Sequence, residues 1–342
     1  MDVASELKNM VSSSPSAPRD LTKYVLSLDE LAKMDIPKRE FLLGSWLPKA
    51  SFGMVYAERG HGKSWFCMAM SIAIAQGSKH FLGWSISSQQ GVLYVDGEMA
   101  LSDIKERFVS LANRTLDNLY LLPSETLYRD GMPICLDDRA EQDAIDSLLQ
   151  HLEEKGTRPQ VIVLDNLSTL RRGINENDNS EAQILLDWLI SLRHRGYTVI
   201  IVHHAGKSGQ QRGASIIEVP MDFIIHLQEP DYKKQKKKFA APGEQRFEFR
   251  FPKLRTKRPK PDHGTIILRH DQEHGTEFLC EEEDAYIKQR YNILRYLKEN
   301  GHTSQRKIAK DLEMGLGTVN GEIQTLRAEG LLQPVKSSNV PN

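Results

Sequence analysis

The sequence predicts an α/β protein: a mostly parallel sheet with antiparallel edge strands, followed by a small C-terminal helical domain. Short apolar runs alternate with helical patterns between Met54 and Val202. Beyond Val202, strand-like segments follow one another without helices between them. From Asp284 the periodicity becomes helical. Repeated strand–helix–strand units with near-continuous apolar strands imply a parallel sheet covered on both faces.

The elements follow in order. The stretch Ser12-Ser13-Ser14-Pro15-Ser16-Ala17-Pro18 reads as part of a disordered lead-in over residues 1–25. Ser27 and Glu30 have capping-box spacing before a short helix. Strands are expected at Met54–Ala57, Val92–Val95, Asn118–Leu122, Val161–Leu164 and Thr198–Val202. Helices are expected at Lys63–Gln76, Leu101–Ala112, Arg139–Glu154 and Ser180–Arg195. Asp222–Leu227, Arg246–Phe251 and Thr265–Leu268 then extend the sheet through hairpins. The acidic, Gly-containing stretch 271–283 reads as a linker.

Composition narrows the function. The chain has 342 residues, enough for two or three domains, and a formal net charge of −1, so any nucleic-acid footprint must be local. Its three cysteines form no Cys-x-x-Cys pair, which argues against a zinc site or disulfide framework and suits the reducing cytoplasm. The apolar runs are strand-sized, so no membrane span is expected, and the N-terminus has no signal-peptide core.

The chemistry centres on Glu58-Arg59-Gly60-His61-Gly62-Lys63-Ser64, between an apolar strand and a helix that opens Lys63-Ser64-Trp65. Backbone N–H groups of such a loop point at a phosphate. Lys63 would reach the outer phosphates, and the Ser64 hydroxyl would meet Mg²⁺. Ala57 stands where the pattern has its first glycine, and it can supply that turn if its φ stays negative. Asp165 ends a parallel strand beside this loop and would complete the Mg²⁺ site. Glu98 ends another strand and would activate a water against the γ-phosphate, with Asp96 as competitor. A third strand ends in His203-His204, which point to opposite faces, so one of the pair would sense the nucleotide.

In this order the motifs resemble the RecA-type ATPases, and within them the RepA-like hexameric replicative helicases of plasmids and phages. The resemblance rests on Glu58–Ser64, Val92–Glu98, Val161–Asp165, Glu176–Asn179, His203–Ser208 and Arg212–Ser215. It implies a RecA-like ATPase domain over residues 26–270, ATP and Mg²⁺ as cofactors, and a ring of identical subunits, a hexamer in this family. It also implies a Lys-x-Arg pair that reaches the next subunit's nucleotide, matched here by Lys253-Leu254-Arg255. Of the two histidines, His204 is the candidate named for the site, and the choice between His203 and His204 stays open. The charges near Lys253 equally suit an edge strand protected from aggregation. The loop Ala205–Gly213, with Lys207 and Arg212, would face single-stranded DNA in a central channel. The run Lys233–Lys238 reads as a solvated basic loop.

Residues 284–342 resemble a winged helix-turn-helix. Its third helix would present Thr318, Asn320, Gln324 and Arg327 to duplex DNA, although Glu322 lies on the same helix and such modules also dock proteins. A DNA-stimulated ATPase is therefore expected, with a nucleotide-gated DNA-binding regulator or a nucleotide-switched scaffold as alternatives.

Overall fold

A computed structural model describes residues 20–112, 114–171, 179–204, 215–230, 240, 243–271, 275–301, 303–328 and 332. The chain divides into two units, Met1–Arg39 and Glu40–Asn342.

In the first unit Thr22–Tyr24 forms a 3-10 turn, inside the segment expected to be disordered, and α1 (Leu28–Lys33) follows. The expected capping box is present: Ser27 accepts from the Glu30 N–H and the Glu30 carboxylate accepts from the Ser27 N–H at 2.7 Å.

The second unit opens with a small hairpin, β1 (Phe41–Leu43) and β2 (Leu47–Pro48). Then come β3 (Phe52–Ala57), α2 (Lys63–Gln76), a two-stranded ribbon of β4 (His80–Phe81) and β5 (Trp84–Ser85), and β6 (Gly91–Asp96). α3 (Leu101–Leu111), β7 (Leu119–Pro123), α4 (Ser124–Arg129), α5 (Arg139–Glu154) and β8 (Pro159–Asp165) follow. α6 (Asn179–His194), β9 (Thr198–His204), α7 (Ser215–Glu218) and β10 (Phe223–Gln228) complete the parallel part. β11 (Glu244–Leu254), β12 (His263–Asp271) and β13 (Gly275–Cys280) lead to α8 (Glu281–Asn300), α9 (Gln305–Asp311) and α10 (Leu316–Ala328).

The main sheet has nine strands in the order β13-β12-β11-β10-β3-β9-β8-β6-β7. The stretch β10-β3-β9-β8-β6-β7 is parallel throughout, and β11, β12 and β13 add antiparallel edges. Alternate residues of each central strand enter opposite cores. Val55, Tyr94, Val163 and Val202 pack with α2 and α3 on one face. Met54, Val95, Leu164 and Ile201 pack with α5 and α6 on the other. The strands therefore read as continuous apolar runs. α2 is apolar all round for the same reason: Phe66 to Ala75 is buried without a break.

Two expectations are corrected. The stretch 271–283 is not a linker: β13 pairs with β12, and α8 starts at Glu281. Phe278 packs against the core and Cys280 is buried, but the acidic residues beside them mask this alternation. The strand expected at Arg246–Phe251 is longer, Glu244–Leu254, and runs through Pro252. Between Arg250 and Lys253 the register against β10 shifts, and Pro252 sits in that irregularity, where its missing N–H interrupts no regular pair. The expectations on Glu176–Asp178, the loop Ala205–Gly213 and Lys233–Lys238 lie outside the described residues.

The three C-terminal helices have their own core of Ile293, Ile308, Ala309, Val319, Ile323 and Leu326. Ser304 caps α9 by accepting from the Lys307 N–H. An ion pair between Arg246 on β11 and Glu281 on α8 joins them to the sheet. Among the described residues, no helix is long and apolar enough to cross a membrane.

Candidate active site

β3, β6, β8 and β9 are parallel neighbours, so their C-terminal ends meet along one edge of the sheet. A cleft of about 530 Å³ opens there. Arg59, Gly60, Gly62, Lys63, Ser64 and Trp65 line one side, with Glu98, Asp165, Asn166 and His204 opposite.

The loop after β3 turns through Gly60 and Gly62, with φ of +82° and +74°. These are left-handed conformations that glycine adopts at little cost. Gly62 also caps α2, and a Cβ there would lie 2.5 Å from the Phe247 ring on β11. Lys63 is 6% exposed, and its ammonium donates to the carbonyls of Ala57 at 3.1 Å and Glu58 at 2.8 Å. Burial lowers its pKa, and the carboxylates of Asp165 and Glu98 oppose that shift. Glu58 contributes through its carbonyl, while His61 acts electrostatically on His226. Neither is among the residues lining the cleft.

Asp165 is buried at the tip of β8, where it accepts from the Ser64 hydroxyl and, at 2.5 Å, from the Tyr94 hydroxyl. Burial raises its pKa, and the Tyr94 and Ser64 hydrogen bonds and Lys63 pull it back. Asp96, on the neighbouring strand, is turned inward: it accepts from the N–H groups of Glu98 at 3.1 Å and Met99 at 2.8 Å. Burial raises its pKa to about 6. Asp96 thus shapes the turn that carries Glu98. Glu98 has a side chain 59% exposed, accepts from Asn166 Nδ2 at 2.5 Å and lies 4.0 Å from His204 Nε2. Burial lowers the His204 pKa, reinforced by Lys63.

These groups fit a nucleotide phosphate with Mg²⁺. Ser64 and Asp165 supply hard oxygen donors side by side, next to a buried ammonium and a glycine loop open to an anion. Among the described residues, no three His, Cys, Asp or Glu side chains converge as a metal centre. A cation here would take its remaining ligands from phosphate and water.

Lys253 and Arg255 lie at the other end of the sheet. Lys253 pairs with Ile224, which is level with Met54, and the Arg255 N–H bonds to Asp222. Both cations donate to the Val219 carbonyl, at 3.0 and 2.7 Å. Both charged ends are thus turned toward Val219, and neither residue is among those lining the cleft. On α10, Thr318, Gln324 and Arg327 are exposed and Asn320 is half-buried. Glu322 is buried, 3.7 Å from Arg290, and so leaves the outer face. Lys207 and Arg212 lie outside the described residues.

Sequence reasoning missed Asn166, Tyr94, Arg107 and Gln245, the last two also lining the cleft. Asn166 follows Asp165 at a strand end, a usable signal. Tyr94 is one hydroxyl in an apolar strand. Gln245 comes from an edge strand that nothing local links to the loop.

The model of a family described as AAA domain matches residues 15–210, more than half of the chain. A model described as winged helix-turn-helix DNA-binding matches residues 288–333. No curated protein matches the sequence. Among solved structures, the flagellar accessory protein FlaH from Methanocaldococcus jannaschii is 15% identical over 68% of this chain and 90% of that one, with a TM-score of 0.43. A second solved structure, described as an ATPase domain, is 14% identical over 68% of this chain and 85% of that one, with a TM-score of 0.47.

Proposed function

The chain belongs to the AAA domain family, and from that premise we propose that it is a DNA-dependent ATPase working as a ring of identical subunits, a replicative helicase of RepA type. The observation that supports this reading best is Glu98: an accessible carboxylate at a strand tip, held by Asn166 beside Lys63, Ser64 and Asp165.

Lys63 exchanges its two loop carbonyls for the outer phosphates of ATP, and the loop N–H groups hold the remaining oxygens. Ser64 and Asp165 would hold Mg²⁺, which would supply positive charge to the phosphates as they react. Glu98 accepts a proton from the water that attacks the γ-phosphorus, and ADP and phosphate leave. His204, whose pKa burial lowers, would sense the γ-phosphate and pass its presence to the following loop. Lys253 and Arg255 serve the neighbouring subunit's nucleotide, which suits their distance from the cleft of their own chain. Lys207 and Arg212 track single-stranded DNA in the channel of a hexamer, and the winged helix engages duplex through Thr318, Asn320, Gln324 and Arg327. A role in plasmid or phage replication, in the cytoplasm, completes the proposal.

The test is forked-duplex unwinding by the wild type beside Glu98→Gln. ATP-dependent strand separation that disappears in the variant supports the motor. A second reading, a nucleotide-gated DNA-binding regulator, draws on the exposed outer face of α10. ATP binding with tight duplex binding and no unwinding on any fork would select it. Loss of neither ATP nor ADP binding in Lys63→Ala would end both.

A further inference from the structure

Helix α10 carries Thr318, Gly321 and Gln324 at three-residue spacing, which places them on one stripe. Thr318 and Gln324 are exposed. Between them the stripe meets the ATPase domain. Lys260, on the loop between β11 and β12, has its Nζ 3.0 Å from the place a Cβ would take on Gly321. Glycine weakens a helix interior; here it leaves the helix surface open to the lysine.

The loop is anchored to the ATPase domain. Trp84 Nε1 donates to the Pro261 carbonyl at 2.8 Å, Ser45 Oγ to the Lys257 carbonyl at 3.3 Å, and Thr256 Oγ1 to the Trp46 carbonyl at 3.3 Å. Trp46 and Trp84 are themselves buried, and so is Pro259 next to Lys260. The module is held from its other end: α8 starts at Glu281 directly after β13, and Glu281 pairs with Arg246. The major groove of duplex DNA is about 12 Å wide, and a helix with its side chains fills about 10–12 Å. A groove that accepts α10 has no width left for a second segment lying on the middle of its outward stripe. Phosphate contacts do not call for this loop either, because α9 presents exposed Arg306, Lys307 and Lys310.

We propose that the β11–β12 loop is an autoinhibitory contact that masks α10 from double-stranded DNA. In the closed arrangement Lys260 lies over Gly321 and the helix is kept out of the groove. Duplex binds the open arrangement, in which α10 has parted from the loop. The proposal rests on the reading of the winged helix as a duplex-binding module and adds the regulation of that surface. An open form populated at about 0.1–10% lowers the apparent affinity for duplex by the same factor. Weakening the contact returns that affinity.

The test measures duplex affinity by fluorescence anisotropy, at one salt concentration, for the full-length wild type, Lys260→Ala, and a double variant with Lys260→Cys and Gly321→Cys. Loss of a cation ordinarily weakens duplex binding. Masking reverses the sign: Lys260→Ala should bind duplex about tenfold more tightly, or better. Its ATPase rate without DNA should stay at the wild-type level. Cys67, Cys135 and Cys280 are buried, so a reducible bis-maleimide bridges the two introduced thiols. The bridged protein should lose duplex binding, and reduction of the bridge should restore it. Equal or weaker binding by Lys260→Ala, or a bridged protein that binds as well as the reduced one, would overturn the masking and leave the winged-helix reading standing. Duplex affinity absent from wild type, from Lys260→Ala and from the reduced double variant would remove both. Should the double variant not fold, Lys260→Ala beside Lys260→Arg decides: the arginine keeps the contact and should bind like wild type.

Discussion

Asn166 Nδ2 donates to the Glu98 carboxylate at 2.5 Å, so the residue after the buried Asp165 fixes the carboxylate presented by the neighbouring strand. Glu98→Gln should lower ATP turnover by roughly 10²- to 10⁴-fold, the usual worth of a positioned general base, with nucleotide affinity retained. Asn166→Ala should lower kcat by about tenfold, because the base stays but its orientation loosens. Steady-state ATPase assays with calorimetric nucleotide titration check both. A Glu98→Gln protein that hydrolyses at the wild-type rate would remove Glu98 from the chemistry.

Lys253 and Arg255 should matter for turnover and hardly for folding. Both hold a surface carbonyl, so alanine at either position should leave the melting temperature within a few degrees of wild type. Turnover should fall by about 10³-fold or more, as for other cations supplied in trans. Arg255→Ala subunits keep an intact phosphate loop, and Lys63→Ala subunits keep intact trans cations. Mixing the two inactive proteins should therefore restore part of the activity. A mixture as inactive as its components would count against the trans role.

Gly62→Ala should damage fold and site together. The position has φ +74°, and the added methyl would meet the Phe247 ring at 2.5 Å. Backbone strain and overpacking of this kind cost about 1–3 kcal/mol each. Urea denaturation should show that loss, with weakened nucleotide binding alongside. Gly60→Ala, where nothing lies within 4 Å of the new methyl, should pay in backbone conformation alone.

His226 gives the folded chain a pH dependence. It is buried between Tyr56, stacked at 4.5 Å, and Arg250, whose Nε donates to its Nδ1 at 3.1 Å. Burial first, then the Arg250 and His61 charges, lower its pKa from 6.5 to about 4. Between those values the unfolded chain binds the extra proton and the folded chain does not, so stability rises with pH across that interval. It is full above about 6.5 and is lost as pH falls toward 4. The difference amounts to roughly 3 kcal/mol. Denaturation of wild type and His226→Gln at about pH 4, 5, 6 and 7 should show the wild type losing about that much more toward acid.

The parallel part of the fold was legible because buried strands are continuous apolar runs and Lys63 to Gln76 is apolar all round. That Lys63, Ser64, Glu98, Asp165 and His204 would line one cleft was legible because strand ends in a parallel sheet share one edge, so polar residues closing apolar runs become neighbours. The strand Gly275–Cys280 was hidden, since at this sheet edge the exposed position is the apolar Leu279 and the four residues before it are all half-buried, so no clear alternation marks it. Gln245 and Phe247 were also invisible as parts of the site. They reach the phosphate loop through strand pairing across the sheet, which no local pattern records. The inward turn of Asp96 depends on two N–H groups in the turn it caps, so the sequence alone left it competing with Glu98.

The contact of Phe247 with Gly62 has a consequence for biosynthesis. The phosphate loop lies early in the polypeptide, but the ring that backs it belongs to a strand made much later. Contacts so distant in sequence form slowly, and this one needs β11 to have left the ribosome. A nascent chain that stops after β9 has the loop without the ring that backs Gly62.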